Sequence, residues 1–405
     1  MPVIYTKRDQ GKTISTGTGT PSHSAIAGDE YTDLTSGLHY VYTTSWNQLA
    51  TGSGGGLTNF TETGSTVTPN NTIPVVALIA KSGATNVDIA IVPKGTGAFM
   101  LDIPDNTTTG GNKRGANAVD LSTKRSFSTS VASGTDSTVL GGTDSRASGN
   151  QSLAFNGWAT GTQSICFQSA LGVEGIASGT LSISMGGRAN ATGGGAVAFG
   201  LGWPWSPATA SGDQSIAISS GGIASAARST ALGGENPTAN GISSYAFGAK
   251  PHVFGITGRQ VRGYYYSPAN IPGDCQKSEF YLSNRTTGNT ATTVTVGGAA
   301  AGTTNQVILS NQSAYRFKGT IVGKQQGSVN AAVWDIDGFI VRGANAAATT
   351  LNVSNVTLVQ NTPAWGTPTL AADTTNGGLR VQVTGAAATN IQWTAVIETT
   401  EVIYA

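Results

Sequence analysis

The stretch Ala147-Ser148-Gly149-Asn150-Gln151-Ser152-Leu153-Ala154-Phe155 is followed at once by Ala159-Thr160-Gly161-Thr162-Gln163-Ser164-Ile165-Cys166-Phe167. Both read Ala, a hydroxyl residue, Gly, two variable residues, Ser, then apolar positions in alternation. The same pattern opens at Ala132, Ala177, Ala191, Ala210, Ala224 and Ala239, which makes eight copies. Its third position falls at 134, 149, 161, 179, 193, 212, 226 and 241 and is glycine everywhere except Ala226. The steps are 15, 12, 18, 14, 19, 14 and 15 residues, so loops of variable length intervene. A unit of this size makes one coil with two short strands, and each coil stacks on the next. The glycine is expected at a tight corner of positive φ. Pairs such as Ile165 and Phe167, or Ile216 and Ile218, share one strand face and are expected to point inward. Two or three large apolar side chains per copy make a thin core, so several chains are expected to bury surface against one another.

Composition supports an all-β chain. Charged residues are 11% of the 405, the net charge is +1, and glycine alone supplies 56 positions. Leu, Glu and Lys are too scarce for long helices, and the low charge argues against disorder. Near-neutrality gives no electrostatic reason to expect nucleic acid or an anionic membrane as partner. The N-terminal MPVIYTKRDQGKT has no apolar run of signal-peptide length, and no stretch approaches the ~18 apolar residues of a membrane helix. The expected product is soluble, made in the cytoplasm and released by lysis, with no membrane insertion.

Four segments are expected. Residues 1–50 form a small β module around His39-Tyr40-Val41-Tyr42 and Trp46, closed by a flexible joint at Gly52–Gly56. Residues 51–118 are β-rich, with an apolar run from Ile73 to Ile79 and an alternating, half-buried strand at Val87, Ile89 and Ile91. Residues 119–250 carry the repeats. Residues 251–405 hold about nine strands and suggest a β-sandwich of jelly-roll type.

The repeat resembles the left-handed parallel β-roll in the heads of trimeric autotransporter adhesins, a module also found in phage fibres. The resemblance covers about 120 residues; the irregular step and the insertion Leu201-Gly202-Trp203-Pro204-Trp205-Ser206-Pro207 depart from it. Residues 84–97 and 110–121 resemble units common in phage tail-fibre proteins, and residues 251–405 resemble the globular tips that close such fibres. The resemblance implies an elongated homotrimer in the virion tail. Residues 1–50 would hold other tail proteins, and the tip would attach to a host-surface glycan or protein. Weak contacts would add up through avidity. A bacterial adhesin would instead need a signal peptide and a membrane barrel. A capsid fibre or adaptor without receptor binding and a polysaccharide-degrading tailspike stand as alternatives.

Candidate chemistry is sparse, and the chain is expected not to be an enzyme, with no catalytic residue, no cofactor and no metal. Asp335-Ile336-Asp337-Gly338 lacks the other ligands of a calcium loop and reads as a hairpin turn at Asp337-Gly338. Gly11-Lys12-Thr13 lacks the earlier glycine of a phosphate loop, since position 6 is Thr6. His23, His39 and His252 are scattered, and Cys166 and Cys275 are expected to be free thiols in small buried sites. Glycoside cleavage needs two neighbouring carboxylates. The repeat acids Asp136, Asp144, Glu174, Asp213 and Glu235 do not match between copies. Exposed aromatics are the binding candidates: Trp203 and Trp205 on the proline-stiffened insertion, Tyr265 within Tyr264-Tyr265-Tyr266, and Trp365 in a loop. Trp203 and Trp205 read equally well as filling an interface between chains. Trp334 and Trp393, inside strands, are expected in the core.

Overall fold

The computed structural model describes residues 5–9, 12–35, 38–48, 60–65, 75–80, 86–168, 175–201, 206–263 and 271–404. The chain divides into two compact units, Met1–Ile91 and Val92–Ala405. The first holds a five-stranded sheet (Tyr5–Asp9, Lys12–Gly17, Glu30–Asp33, His39–Tyr42, Trp46–Gln48) and a hairpin of Phe60–Ser65 with Val75–Ala80. Tyr31 and Tyr40 are its buried aromatics, and the His23 and Trp46 rings lie 5.0 Å apart. The alternating segment at Val87, Ile89 and Ile91 is not a strand: these side chains are exposed, with no ladder to bury one face.

The second unit is built on one sheet of sixteen strands. From Phe99–Met100 to Gln260–Gly263 its strands are parallel, one per coil. A second parallel sheet, from Arg146–Ala147 to Thr238–Ala239, supplies the other wall. The result is a β-solenoid with two strands per coil, and among the described residues no α-helix occurs. At Cys275–Thr286 the same sheet turns antiparallel and continues through Ile391–Ile403, Ser313–Gln325, Ala331–Arg342 and Thr349–Asn361. A smaller sheet of Ala291–Thr293, Val307–Ile308, Gly366–Asp373 and Gly378–Thr384 shares a core with it.

The repeat glycines have a different purpose from the one expected. None of those at 134, 149, 161, 179, 193, 212 and 241 has positive φ; that conformation falls two residues later, at Asp136, Gln151, Gln163, Leu181, Gln214 and Ser243 among others. Each glycine instead lies against the next coil's backbone. A Cβ on Gly149 would stand 1.9 Å from the Gly161 carbonyl oxygen, and one on Gly161 2.2 Å from that of Gly179. At these seven positions the close stacking of coils leaves no room for a Cβ, whereas the remaining copy carries Ala226. The serine three residues on closes the corner: Ser152 Oγ donates to Gly149 O at 2.6 Å, and Ser164 Oγ to Gly161 O at 2.7 Å.

The apolar pairs also point the opposite way. Ala154, Cys166, Ala198, Ala217, Ala231 and Ala246 are fully buried, while Leu153, Phe155, Ile165, Phe167, Ile216 and Ile218 flank them on the outer face. Coils with two strands leave a narrow interior filled mostly by methyls and small polar groups, with Val139 and Val261 toward its ends, so the bulkiest apolar side chains stand outside. Burying a methyl contributes only about 0.8 kcal/mol.

Asp337-Gly338 is not a hairpin turn. It lies mid-strand in Ala331–Arg342, paired on both sides. Gly338 is fixed by packing, since a Cβ there would meet the Phe317 ring at 2.4 Å. Trp334 and Trp393 are fully buried, with ring centroids 6.0 Å apart, as expected of core residues.

Candidate functional site

The outer face of the sixteen-stranded sheet carries one register along its length. Ile165, Ile183, Val197, Ile216, Thr230 and Tyr245 align in successive coils, as do Phe167, Met185, Phe199, Ile218, Leu232 and Phe247. These ladders are apolar except at Thr230 and partly exposed, and rings stack between them: Tyr245 and Phe247 are parallel at 6.1 Å. At Gln260 and Arg262 the ladders pass into the antiparallel strands and become charged.

The first continues as Gln260, Glu279, Glu398, Lys318, Asp337 and Asn355. The second continues as Arg262, Lys277, Thr400, Arg316 and Phe339. A third row, beginning at Tyr281, runs through Val396, Thr320 and Asp335. Strict alternation produces this face, because Phe280, Ile397, Phe317 and Trp334 in the same strands point into the core.

Two shallow depressions, of about 200 and 510 Å³, meet at Glu398. Lys277 Nζ lies 2.9 Å and Lys318 Nζ 3.3 Å from Glu398 Oε2. The Lys277 ammonium first, then Lys318, holds the Glu398 carboxyl below the usual range against the opposing effect of burial. Arg316 Nη2 donates to Asp337 Oδ2 at 2.7 Å, and Thr320 Oγ1 to Asp335 Oδ1 at 2.9 Å. Glu279 accepts from the Tyr281 hydroxyl, which raises the tyrosine's pKa. Glu279 and Glu398 stand opposite each other on neighbouring strands. The face thus offers ammonium and guanidinium donors beside ionised carboxylates. Among the described residues no cluster of His, Cys, Asp and Glu suits a metal ion.

Of the expected binding aromatics, Trp203, Trp205 and Tyr265 lie outside the described residues. Trp365 is not a surface aromatic: it is 6% exposed and packs edge-on against Trp393 at 5.6 Å. Asn361 holds its backbone in the core, Asn361 Nδ2 donating to Trp365 O at 2.8 Å. Cys166 is buried, and its thiol is pushed up to about 11 by that burial; Cys275 is exposed rather than buried. The charged rows escape a reading of the sequence. Each strand shows its polar alternation, as in Lys277-x-Glu279-x-Tyr281, but the order that places Glu398 between Glu279 and Lys318 is not local information.

No family model matches the chain, and no curated protein matches it. Among solved structures it is similar to the tailspike protein gp49 of Acinetobacter baumannii bacteriophage Fri1, at 10% identity and TM-score 0.22, covering 75% of this chain and 44% of that one. It is similar also to the tailspike of Acinetobacter phage vB_ApiP_P1, at 8% identity and TM-score 0.20, covering 72% of this chain and 55% of that one. The tailspike of A. baumannii phage AM24 aligns at 12% identity and TM-score 0.16, over 75% of this chain and 52% of that one. The chain spans about half the length of these proteins. The Fri1 tailspike is described as a capsular polysaccharide depolymerase, which is an enzyme. Set beside that description of a neighbour, the expectation that this chain is not an enzyme is withdrawn.

Proposed function

We propose that the chain is a receptor-binding component of a phage tail, a self-associating β-solenoid that carries a charged sheet to the host surface. The observation that supports it most is the apolar ladder. Large side chains stand in register on the outside of successive coils, from Leu153 and Phe155 to Tyr245 and Phe247. A soluble monomer rarely exposes a contiguous apolar patch beyond a few hundred Å². Further copies of the chain, three in a fibre of this type, would cover it. Residues 1–50 would attach to other tail proteins, and the charged face would meet a host glycan. The adhesin-like repeat and the two tail-fibre-like units support the placement in a virion. The test is decoration of bacteria by the labelled full-length protein and competition with phage infection. Protein that neither decorates cells nor competes contradicts the reading.

A second reading, cleavage of the bound polysaccharide, is favoured by the facing Glu279 and Glu398. A pair of carboxylates on adjacent strands is the minimum equipment for glycoside hydrolysis, and Glu398, kept ionised by Lys277, suits a nucleophile or base. Release of reducing ends from capsular polysaccharide, abolished by Glu398→Gln, is the outcome this reading requires. Absence of release from every polysaccharide the protein binds would remove it.

A further inference from the structure

We propose that the row Arg262, Lys277, Arg316 binds an acidic polysaccharide, its carboxylates on the three cations and a sugar face on Phe339. The inference rests on the reading that the charged face meets a host glycan, and names the class of glycan.

Charge on this face is sorted by row with one exception, Lys318, which stands in the acidic line between Glu398 and Asp337. Arg262, Lys277 and Arg316 share one register line with Thr400 and end at Phe339. Glu279, Glu398 and Asp337 occupy the next line, two residues along each strand, or about 6.8 Å away. Arg262 and Lys277 sit on adjacent strands, about 4.8 Å apart, and Arg316 lies two strands beyond Lys277, about 9.6 Å. A linear polyanion laid across the strands therefore meets cations at intervals along one line.

These cations are available at small cost. Arg262 is exposed and makes no ion pair among the described residues. Lys277 and Lys318 share the single carboxylate of Glu398, so one ammonium is in excess there. The Lys277 and Arg316 side chains are 49% and 54% exposed, and ion pairs so open to water are held only weakly. A ligand carboxylate can replace Glu398 at Lys277 and Asp337 at Arg316 Nη2, whose Nη1 stays on the Gly338 carbonyl at 2.9 Å, and Arg262 offers it a two-pronged geometry.

Two features select a saccharide over a bare polyanion. Phe339, 36% exposed, ends the cationic line, and Tyr281, 47% exposed, begins the line on the far side of the acids. Flat rings pack on the apolar faces of sugars. The acidic row also repels densely charged polymers while accepting sugar hydroxyls as donors. With a net charge of +1, the whole chain has no long-range attraction for polyanions, so any binding is local to this face.

The test measures equilibrium binding of the full-length protein to polygalacturonate, uncharged dextran and polyphosphate, beside its decoration of a panel of encapsulated bacteria. Polygalacturonate is expected to bind, to weaken with salt, and to outcompete both dextran and polyphosphate. The triple variant R262Q/K277Q/R316Q should lose at least about tenfold in affinity, while Arg285→Gln, eight residues along the strand from Lys277, should change nothing. Equal binding of dextran would overturn the acidic assignment, and equal binding of polyphosphate would overturn the saccharide. A triple variant with altered mass in solution would reassign the row to contacts between copies. Cells decorated without polygalacturonate binding would refute the ligand class and leave the tail reading standing. Neither cells nor polymer bound would refute both.

Discussion

Arg259 and Glu401, 142 residues apart in sequence, form an ion pair whose two side chains are fully buried. Arg259 precedes the last parallel strand, Gln260–Gly263, and Glu401 lies in the final antiparallel strand, Ile391–Ile403. Gln276 Nε2 donates to the same carboxylate at 2.8 Å, Arg259 Nε to Ser278 Oγ at 3.1 Å, and Arg259 Nη1 to Val253 O at 3.1 Å. The guanidinium lies 5.2 Å from the Phe280 ring centroid. This network fastens the end of the solenoid to the antiparallel sheet.

Removing one partner is expected to be costly. Glu401→Gln leaves a buried guanidinium without its counter-charge and should destabilise the fold by about 3 kcal/mol. Denaturant unfolding checks it, and the double change R259M/E401L should recover much of the loss. A cost below about 1 kcal/mol for Glu401→Gln would mean that the seam is held by other contacts.

His252 beside this pair makes stability depend on pH. Burial, then the charge of Arg259, lowers its pKa to about 4 from 6.5. The groups around it are Asn240 at 3.3 Å, Phe254, whose ring centroid is 4.1 Å away, and Gln276, which accepts from its backbone. Between pH 4 and 6.5 the unfolded chain binds a proton that the folded chain does not, so stability is full above pH 6.5 and falls as pH drops toward 4. The change should be on the order of 2 kcal/mol after allowance for partial exposure. Unfolding midpoints over that range should show it, and His252→Asn should remove it.

The repeat glycines should resist substitution. Gly149→Ala places a methyl 1.9 Å from a backbone carbonyl of the next coil, which has no flexible end to give way. A loss of about 3 kcal/mol or more, or failure to fold, is expected. Gly288→Ala, with open space around its Cβ and no positive φ, should be neutral.

The two thiols should separate cleanly. Cys275 is exposed, whereas Cys166 is buried with its pKa raised to about 11, so one thiol per chain should react with maleimide near neutral pH. Two should react after denaturation. Fast labelling of both in the native protein would contradict the tight interior of the coils.

The solenoid was legible in the sequence because its signal is local: Gly149, Ser152 and Ala154 recur at one spacing, and each coil is set by its own residues. The direction of the apolar pairs was not legible. Period-2 alternation says that Ile165 and Phe167 share a face, but only the width of the coil decides that Cys166 takes the inside. Asp337-Gly338 misled for a similar reason. Turn residues in isolation favour a hairpin, yet strands on either side and the Phe317 ring over Gly338 keep the segment extended. Trp365 sits between two prolines like an exposed loop residue, and the place kept for it against Trp393 is tertiary. The charged face needed the order of five antiparallel strands, which no local pattern specifies.

The central claim is that the outer ladder of the solenoid is covered by further copies of the chain, and the most direct test is the mass of the full-length protein by light scattering. A trimer, three times the chain mass of 40.9 kDa, is the predicted result. Replacing Phe167 and Phe199 by Asn should lower that mass while leaving the β-sheet circular dichroism unchanged. A stable, soluble species of 40.9 kDa with the ladder intact would contradict the account.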